Sequence, residues 1–259
     1  MAKDLPHVWL ETINDIIANG ARIAPRGQPT REILQRTVEI DMRRPVLTIP
    51  QRKLSYKFMA AEAYWILTGD DRVETIAPYN KNISQFSDDG KIFFGAYGPK
   101  IMKQMDYVVD KLKQDSDTRQ AGLTIWRESP PETKDVPCTV TIFFNIRGGK
   151  LNCHVFMRSS DVWLGLPYDA FNFSMLSHLV CCYLNQENLA VEPGTLYLTA
   201  ASSHLYERNL EAATVCLIAE TIEQRETPEA SFNDSCVLMG LLANLRTSES
   251  GDYLRWWEA

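Results

Sequence analysis

Residues 139–157 constrain the fold of this chain more than any other stretch. Residues 139–146 and 151–157 are apolar and rich in β-branched side chains, and Gly148-Gly149 between them is a tight-turn signal, so the segment predicts a β-hairpin. Soon after it, residues 168–184 form a long apolar run that predicts a helix buried on nearly every side. Other patterns supply the rest of the layers. Leu5, Trp9, Ile13, Ile16 and Ile17 recur at helical spacing before an Asn19-Gly20 stop, and residues 21–29 read as a loop carrying Arg22 and Arg26. Residues 32–48 are β-prone. Residues 55–67 predict a helix closed by Gly69, with Glu62 and Trp65 on one face. Ile101, Met105, Val108 and Leu112 trace one stripe of a helix over 99–113. Strands are expected at 121–126 and, briefly, at 195–199, and a helix at 205–222. A mixed sheet with helices gathered after runs of strands reads as α+β, in one domain over 1–259.

Composition narrows the function classes. Hydrophobic residues make up 45% and charged residues 23%, as in globular chains, and a net charge of −6 disfavours a nucleic-acid polymer as partner. No run of about 18 apolar residues predicts a membrane span, and the N-terminus lacks the pattern of a secretory signal, so a cytoplasmic location is expected, in a bacterium or a phage-infected host. The six cysteines form no C-x-x-C pair; Cys181 and Cys182 are adjacent, poor geometry for a structural disulfide or zinc, and no metal is expected. The glycine patterns of dinucleotide-binding and phosphate-binding loops are absent.

What remains is a set of motifs in register. Met157 to Leu176 reads MRSSDVWLGLPYDAFNFSML, and Pro137-Cys138-Thr139 lies upstream of it. The first resembles the Arg-Ser-x-Asp and Leu-Gly-Leu-Pro-Phe-Asn signature of the thymidylate synthases; the second resembles their Pro-Cys-His nucleophile motif at the family's spacing to the arginine. Glu62, Trp65, Leu67 and Gly69 resemble the family's Glu-x-x-Trp-x-Leu-x-Gly helix. Tyr97-Gly98, residues 115–120 and His204-x-Tyr206 resemble further family positions. The likeness spans about residues 20–220.

That resemblance implies a thymidylate synthase-like fold, a homodimer formed through the sheet, and 5,10-methylenetetrahydrofolate as cofactor for one-carbon transfer to C5 of a pyrimidine mononucleotide. C5 is a weak nucleophile until a thiolate adds at C6, and Cys138 is the implied nucleophile, its thiol pKa lowered by Arg158. Arg26, Arg158 and Ser159, with Arg119 crossing from the partner, are implied to hold the phosphate. His204 and Tyr206 would hold the sugar. Glu62 would organise water and proton transfer, Tyr97 would assist proton removal from C5, and Asp161, Leu164, Gly165 and Tyr168 would face the pterin. Glu62 has Met59, Ala60, Ala61, Ala63 and Trp65 as neighbours in sequence, which points to partial burial.

Departures from the family pattern carry the finer expectations. Asp169 stands where thymidylate synthases have asparagine; a carboxyl accepts from the N4 amino group of cytosine and, when protonated, donates to N3. Deoxycytidylate and cytidylate hydroxymethylases resemble this chain in that aspartate, so Asp169 reads as a substrate-binding and catalytic residue that selects cytosine. Its other reading is a cap on the following helix, with Asn172 contacting the base. The tryptophan expected after the Glu62 helix is missing from residues 76–90, and the ending GDYLRWWEA is unlike the family tail. Both features normally shield the exocyclic methylene from water, so hydroxymethylation is expected ahead of methylation, with Trp163, Trp256 or Trp257 as substitute shields. Gln120 replaces a second cross-dimer arginine, for which Arg127 is the alternative. The competing readings are a cytosine methylase, a thymidylate synthase acting on dUMP, and a binding protein without turnover.

Overall fold

The computed structural model describes residues 2–219, 227 and 229–248. Helix α1 (Leu5–Asn19) starts where the Asp4 carboxylate accepts from the His7 N–H, and its apolar stripe buries Trp9, Ile13 and Ile16. The chain then forms β1 (Ala21–Ile23), a single 3₁₀ turn at Pro25–Gly27, and β2 (Thr30–Asp41). Helix α2 (Tyr56–Leu67) is capped by the Ser55 hydroxyl and ends at Gly69, whose φ of +73° suits glycine. The short α3 (Val73–Ile76) precedes α4 (Gly98–Gln114). There follow β3 (Gly122–Thr124), β4 (Thr139–Arg147), β5 (Lys150–Met157), β6 (Ser160–Asp161) and α5 (Leu166–Gln186). The described chain closes with β7 (Glu192–Tyr206), α6 (Leu210–Ala219) and α7 (Ser235–Thr247).

One mixed sheet runs β1-β2-β7-β5-β4-β3, with β6 added beside β7. The β5–β7 and β6–β7 pairs are parallel and the others antiparallel. Gly148 and Gly149, at φ +58° and +74°, close the two-residue hairpin between β4 and β5. One face of the sheet, including Ile142, Phe144, Val155 and Leu198, is buried in the core together with α5. That helix buries 16 of its 21 residues, which is why its sequence shows almost no polar stripe. The opposite face leaves Phe143 and Phe156 45% and 42% exposed and carries the stacked pair His154–Tyr197.

Several boundaries differ from the sequence expectation, each for a physical reason. The strand expected over 32–48 ends at Asp41, where the Asp41 carbonyl accepts the Arg44 N–H in a turn ahead of Pro45. The strand expected at 121–126 is only three residues long. Part of the expected 21–29 loop pairs as β1 with β2. The largest miss is β7: Ala200 to Ser203 are weak strand formers, yet β7 continues through them because β2 and then β6 flank it. Leu205 and Tyr206 therefore belong to β7, and the helix expected from 205 begins at Leu210. Helix α5 starts two residues early, at Leu166-Pro167, and α7 was not anticipated. Among the described residues no helix is long and apolar enough to cross a membrane.

Candidate active site

A cavity of about 190 Å³ opens between α2, the start of α5 and the segment leading into β4. It brings together Glu62, Tyr97, Cys138 and Asp169, four residues the sequence singled out from four separate parts of the chain, with Trp65, Asp135 and Asn172. Its remaining wall is apolar: Ile66, Ile83, Phe86 and Phe93.

One side is built from backbone. Cys138 immediately precedes β4, and its carbonyl accepts the Arg158 N–H at 2.8 Å, which fixes the arginine beside the cysteine. The Arg158 guanidinium donates to the carbonyls of Val136 (2.9 Å) and Pro137 (3.0 Å) and to Ser159 Oγ (3.1 Å). Ser159 Oγ in turn lies 3.7 Å from Cys138 Sγ, as donor to the sulfur. Arg158 is exposed, and backbone carbonyls hold its guanidinium. One sequence expectation changes here. The Cys138 thiol pKa is raised, not lowered: burial outweighs the favourable Arg158 charge, and Asp169 adds to the rise.

The opposite side is helical. Glu62 from α2 accepts the Asn172 amide N–H at 2.8 Å, and with little else to offset its burial the carboxyl pKa rises to about 7. Asn172 keeps a buried Oδ1 without a partner among the described residues. Asp169, one turn earlier on α5, is pushed well above the usual carboxylate range by burial first and by the Glu62 charge second. It does not cap α5: the helix begins after Gly165, and no hydrogen bond to the Asp169 carboxyl is formed by the described residues. Tyr97 stacks on Phe173 with centroids 6.4 Å apart, and its hydroxyl oxygen accepts the Thr139 N–H at 3.2 Å; burial raises its pKa strongly.

The other expected site residues lie outside this cavity. Arg26 is exposed on its 3₁₀ turn, in a left-handed conformation at φ 52°. Arg119 is exposed in a separate depression with Gln120 and Lys111. Arg127 lies over the Phe94 ring at 4.1 Å. His204 and Tyr206 meet edge to face at 5.3 Å on β7, and His204 Nδ1 is buried without a partner among the described residues. Asp161 uses its carboxylate to accept from the Trp163 and Leu164 N–H groups, so it orders the turn into α5. Leu164 is 48% exposed, and Gly165 lies against Asp169 Oδ2, where a Cβ would stand at 3.2 Å. Tyr168 accepts the Ser55 N–H at its hydroxyl (3.3 Å) and meets Phe58 edge to face. Trp163 is not a shield for the cavity: it is buried between the Trp9 ring at 5.6 Å and the Arg52 guanidinium at 4.6 Å. Trp256 and Trp257 lie outside the described residues.

Sequence reading missed Asp135, Phe93 and Arg52. Arg52 is buried and donates to the Trp163 carbonyl at 2.7 Å. The available signal for Asp135 was its place three residues before Cys138.

The chain matches the family model described as thymidylate synthase over residues 7–238. It is also similar to a protein of Bacillus phage SP01 named deoxyuridylate hydroxymethyltransferase, 32% identical over 222 residues that cover 77% of this chain and 56% of that protein. The chain thus spans about half the length of that relative. With Cys138, Glu62, Tyr97 and Asp169 around one cavity and the family model covering most of its length, the chain belongs to the thymidylate synthase family.

Proposed function

We propose that this chain transfers a one-carbon unit to C5 of a pyrimidine mononucleotide and releases it as hydroxymethyl, with a cytosine nucleotide as the preferred substrate. The carrying observation is the cavity that brings a half-buried cysteine together with two half-buried carboxyls, Glu62 and Asp169. Cys138 adds to C6 of the base: the Ser159 hydroxyl takes the thiol proton as it passes its own to the substrate phosphate, which Arg158 and Arg26 hold. Arg119 of a second copy completes the phosphate site, and the exposed face of the sheet with Phe143 and Phe156 is the dimer surface.

Methylenetetrahydrofolate fits the apolar half of the cavity. Trp65, Phe86 and Phe93 suit a flat ring, and Trp65 Nε1 is a buried donor without a partner among the described residues. When bound, the folate supplies carbon at the oxidation level of formaldehyde. Glu62, near neutral pH in its titration, takes and returns protons at the base. Tyr97 stands beside the cysteine as the group that assists loss of the C5 proton. Water entry is favoured because, among the described residues, Ile83 and Phe86 rather than a tryptophan line that side of the cavity.

Asp169 carries the base preference. In either protonation state its carboxyl accepts from the cytosine amino group, whereas O4 of uracil is matched only by the protonated form. The name of the phage relative supports a second reading, in which the same hydroxymethylation acts on a deoxyuridylate. Incubation with methylenetetrahydrofolate and dCMP, CMP or dUMP, followed by mass spectrometry of the nucleotide, separates these. Gain of one carbon, two hydrogens and one oxygen by a cytosine nucleotide is the expected result; gain of a methyl group, or no product from any nucleotide, contradicts the proposal.

A further inference from the structure

Three carboxyls line the cavity, and the proposed function uses only two of them. Asp135 is the third. It stands apart from the Glu62–Asp169 pair, on the backbone-built side and three residues before Cys138. Its placement is tightly fitted. Gly95 N–H donates to Asp135 Oδ2 at 2.6 Å, and the Asp135 N–H is held by Thr133 Oγ1 at 3.1 Å. A Cβ on Gly95 would stand 2.4 Å from the Asp135 carbonyl oxygen and 2.9 Å from Oδ2. Glycine at 95 is therefore what lets this carboxyl lie against the cavity wall. Among the described residues no side-chain cation bonds it directly. Burial raises its pKa; the Gly95 N–H and then Lys100, whose Nζ is buried without a hydrogen-bond partner among the described residues, pull it back, and Asp88 adds to the rise. A carboxyl held by one backbone N–H, with its second oxygen unengaged by the described residues, is equipped to accept a proton from water.

We propose that Asp135 is the general base for hydration, the group that takes the proton from the water that adds to the exocyclic methylene. The inference rests on the hydroxymethyl reading above. In this step the water oxygen bonds to the methylene carbon while one water O–H bond breaks and its proton passes to the Asp135 carboxylate. The electron pair of the methylene double bond moves onto the ring, then returns to form C5=C6 as the C6–S bond to Cys138 breaks and the thiolate leaves. Asp135 returns its proton to solvent. Nothing is oxidised or reduced. Glu62, whose Oε2 accepts from Asn172, is the competing base, but the proposed function already assigns it the proton transfers at the pyrimidine.

Microscopic reversibility isolates the step from the folate. The 5-hydroxymethyl nucleotide made by the wild-type chain, incubated with that chain in ¹⁸O-labelled water without folate, should exchange its hydroxyl oxygen: Cys138 adds, protonated Asp135 assists departure of water, and labelled water adds back. Asp135→Asn should slow this exchange about 100-fold, and Asp135→Ser, a second neutral acceptor for the Gly95 N–H, should match it. Asp135→Glu should recover part of the rate. Deuterium release from a C5-labelled substrate in a single turnover with folate, which precedes hydration, should stay within a few-fold in all three variants. Exchange at the wild-type rate in Asp135→Asn or Asp135→Ser overturns the proposal, and so does a parallel fall in deuterium release. A wild-type chain that hydroxymethylates yet shows no exchange also overturns it. A wild-type chain that makes no hydroxymethyl nucleotide overturns the functional reading itself.

Discussion

The cavity and the arginines expected to hold the phosphate are built on opposite principles. Glu62, Tyr97, Cys138 and Asp169 come from α2, the start of α4, the edge of β4 and α5, and the packing of one chain brings them together with their titrations displaced by burial. Arg26 and Arg119 are exposed on turns away from that cavity, and Arg158 donates to backbone carbonyls. The contrast teaches that the part of the site that handles the base is preorganised, at the cost of desolvating its own acids. On the proposed function, the part that handles charge is completed only when the phosphate and a second copy of the chain are bound. The Cys138 thiol belongs to the first part: burial raises its pKa more than the Arg158 charge lowers it.

Substitutions on each side of this division have effects of different size. Cys138→Ser should lower turnover by roughly 10⁴-fold or more, since no other group in the cavity is a nucleophile of comparable softness. Steady-state assays of product check this, and turnover retained within ten-fold contradicts the assignment. Asp169→Asn should shift the uracil-to-cytosine ratio of kcat/KM by about 10²-fold toward uracil, the size expected for one mismatched buried hydrogen bond.

Arg119→Ala should lose about ten-fold in kcat/KM, and mixing it with inactive Cys138→Ser should restore activity. In such a mixed dimer one site combines an intact cysteine with the intact arginine of the other subunit. Absence of restoration places Arg119 in its own chain's site or in none. The smallest effect concerns stability. The Glu62 pKa rises from 4.5 to about 7 on folding, so the unfolded chain releases that proton first and stability falls as pH climbs through this window. Glu62→Gln should therefore raise the unfolding free energy at pH 8 by about 2 kcal/mol and leave it nearly unchanged at pH 4. Denaturant melts at the two pH values measure it.

Much of the core of the site was legible because its residues sit in contiguous motifs. Pro137-Cys138 and Arg158-Ser159 flank a hairpin whose turn glycines set the register that pairs them. Partial burial of Glu62 followed from its apolar neighbours. Asp135 had only its nearness in sequence to Cys138 as a signal: an acid in a loop has no periodicity, and the fold alone reveals that Gly95 makes room for it. The same limit applies to β7, where Ala200 to Ser203 have poor strand propensity and lie in a strand only because ladders form on both sides. Helix α7 was readable in retrospect from the Asp234 cap and the buried Leu238, Leu242 and Leu245. The thiol pKa was misjudged because charge was weighed without burial.

The central claim is that Cys138 bonds to C6 of a pyrimidine, and a 5-fluorocytosine nucleotide tests it most directly. Fluorine cannot leave C5 as a proton does, so the adduct formed in the presence of methylenetetrahydrofolate should persist. Intact-protein mass spectrometry followed by peptide mapping should find the chain heavier by one nucleotide and one folate, with the attachment on the peptide containing Cys138. An unmodified chain under those conditions, or an adduct carried by any other residue, contradicts the account.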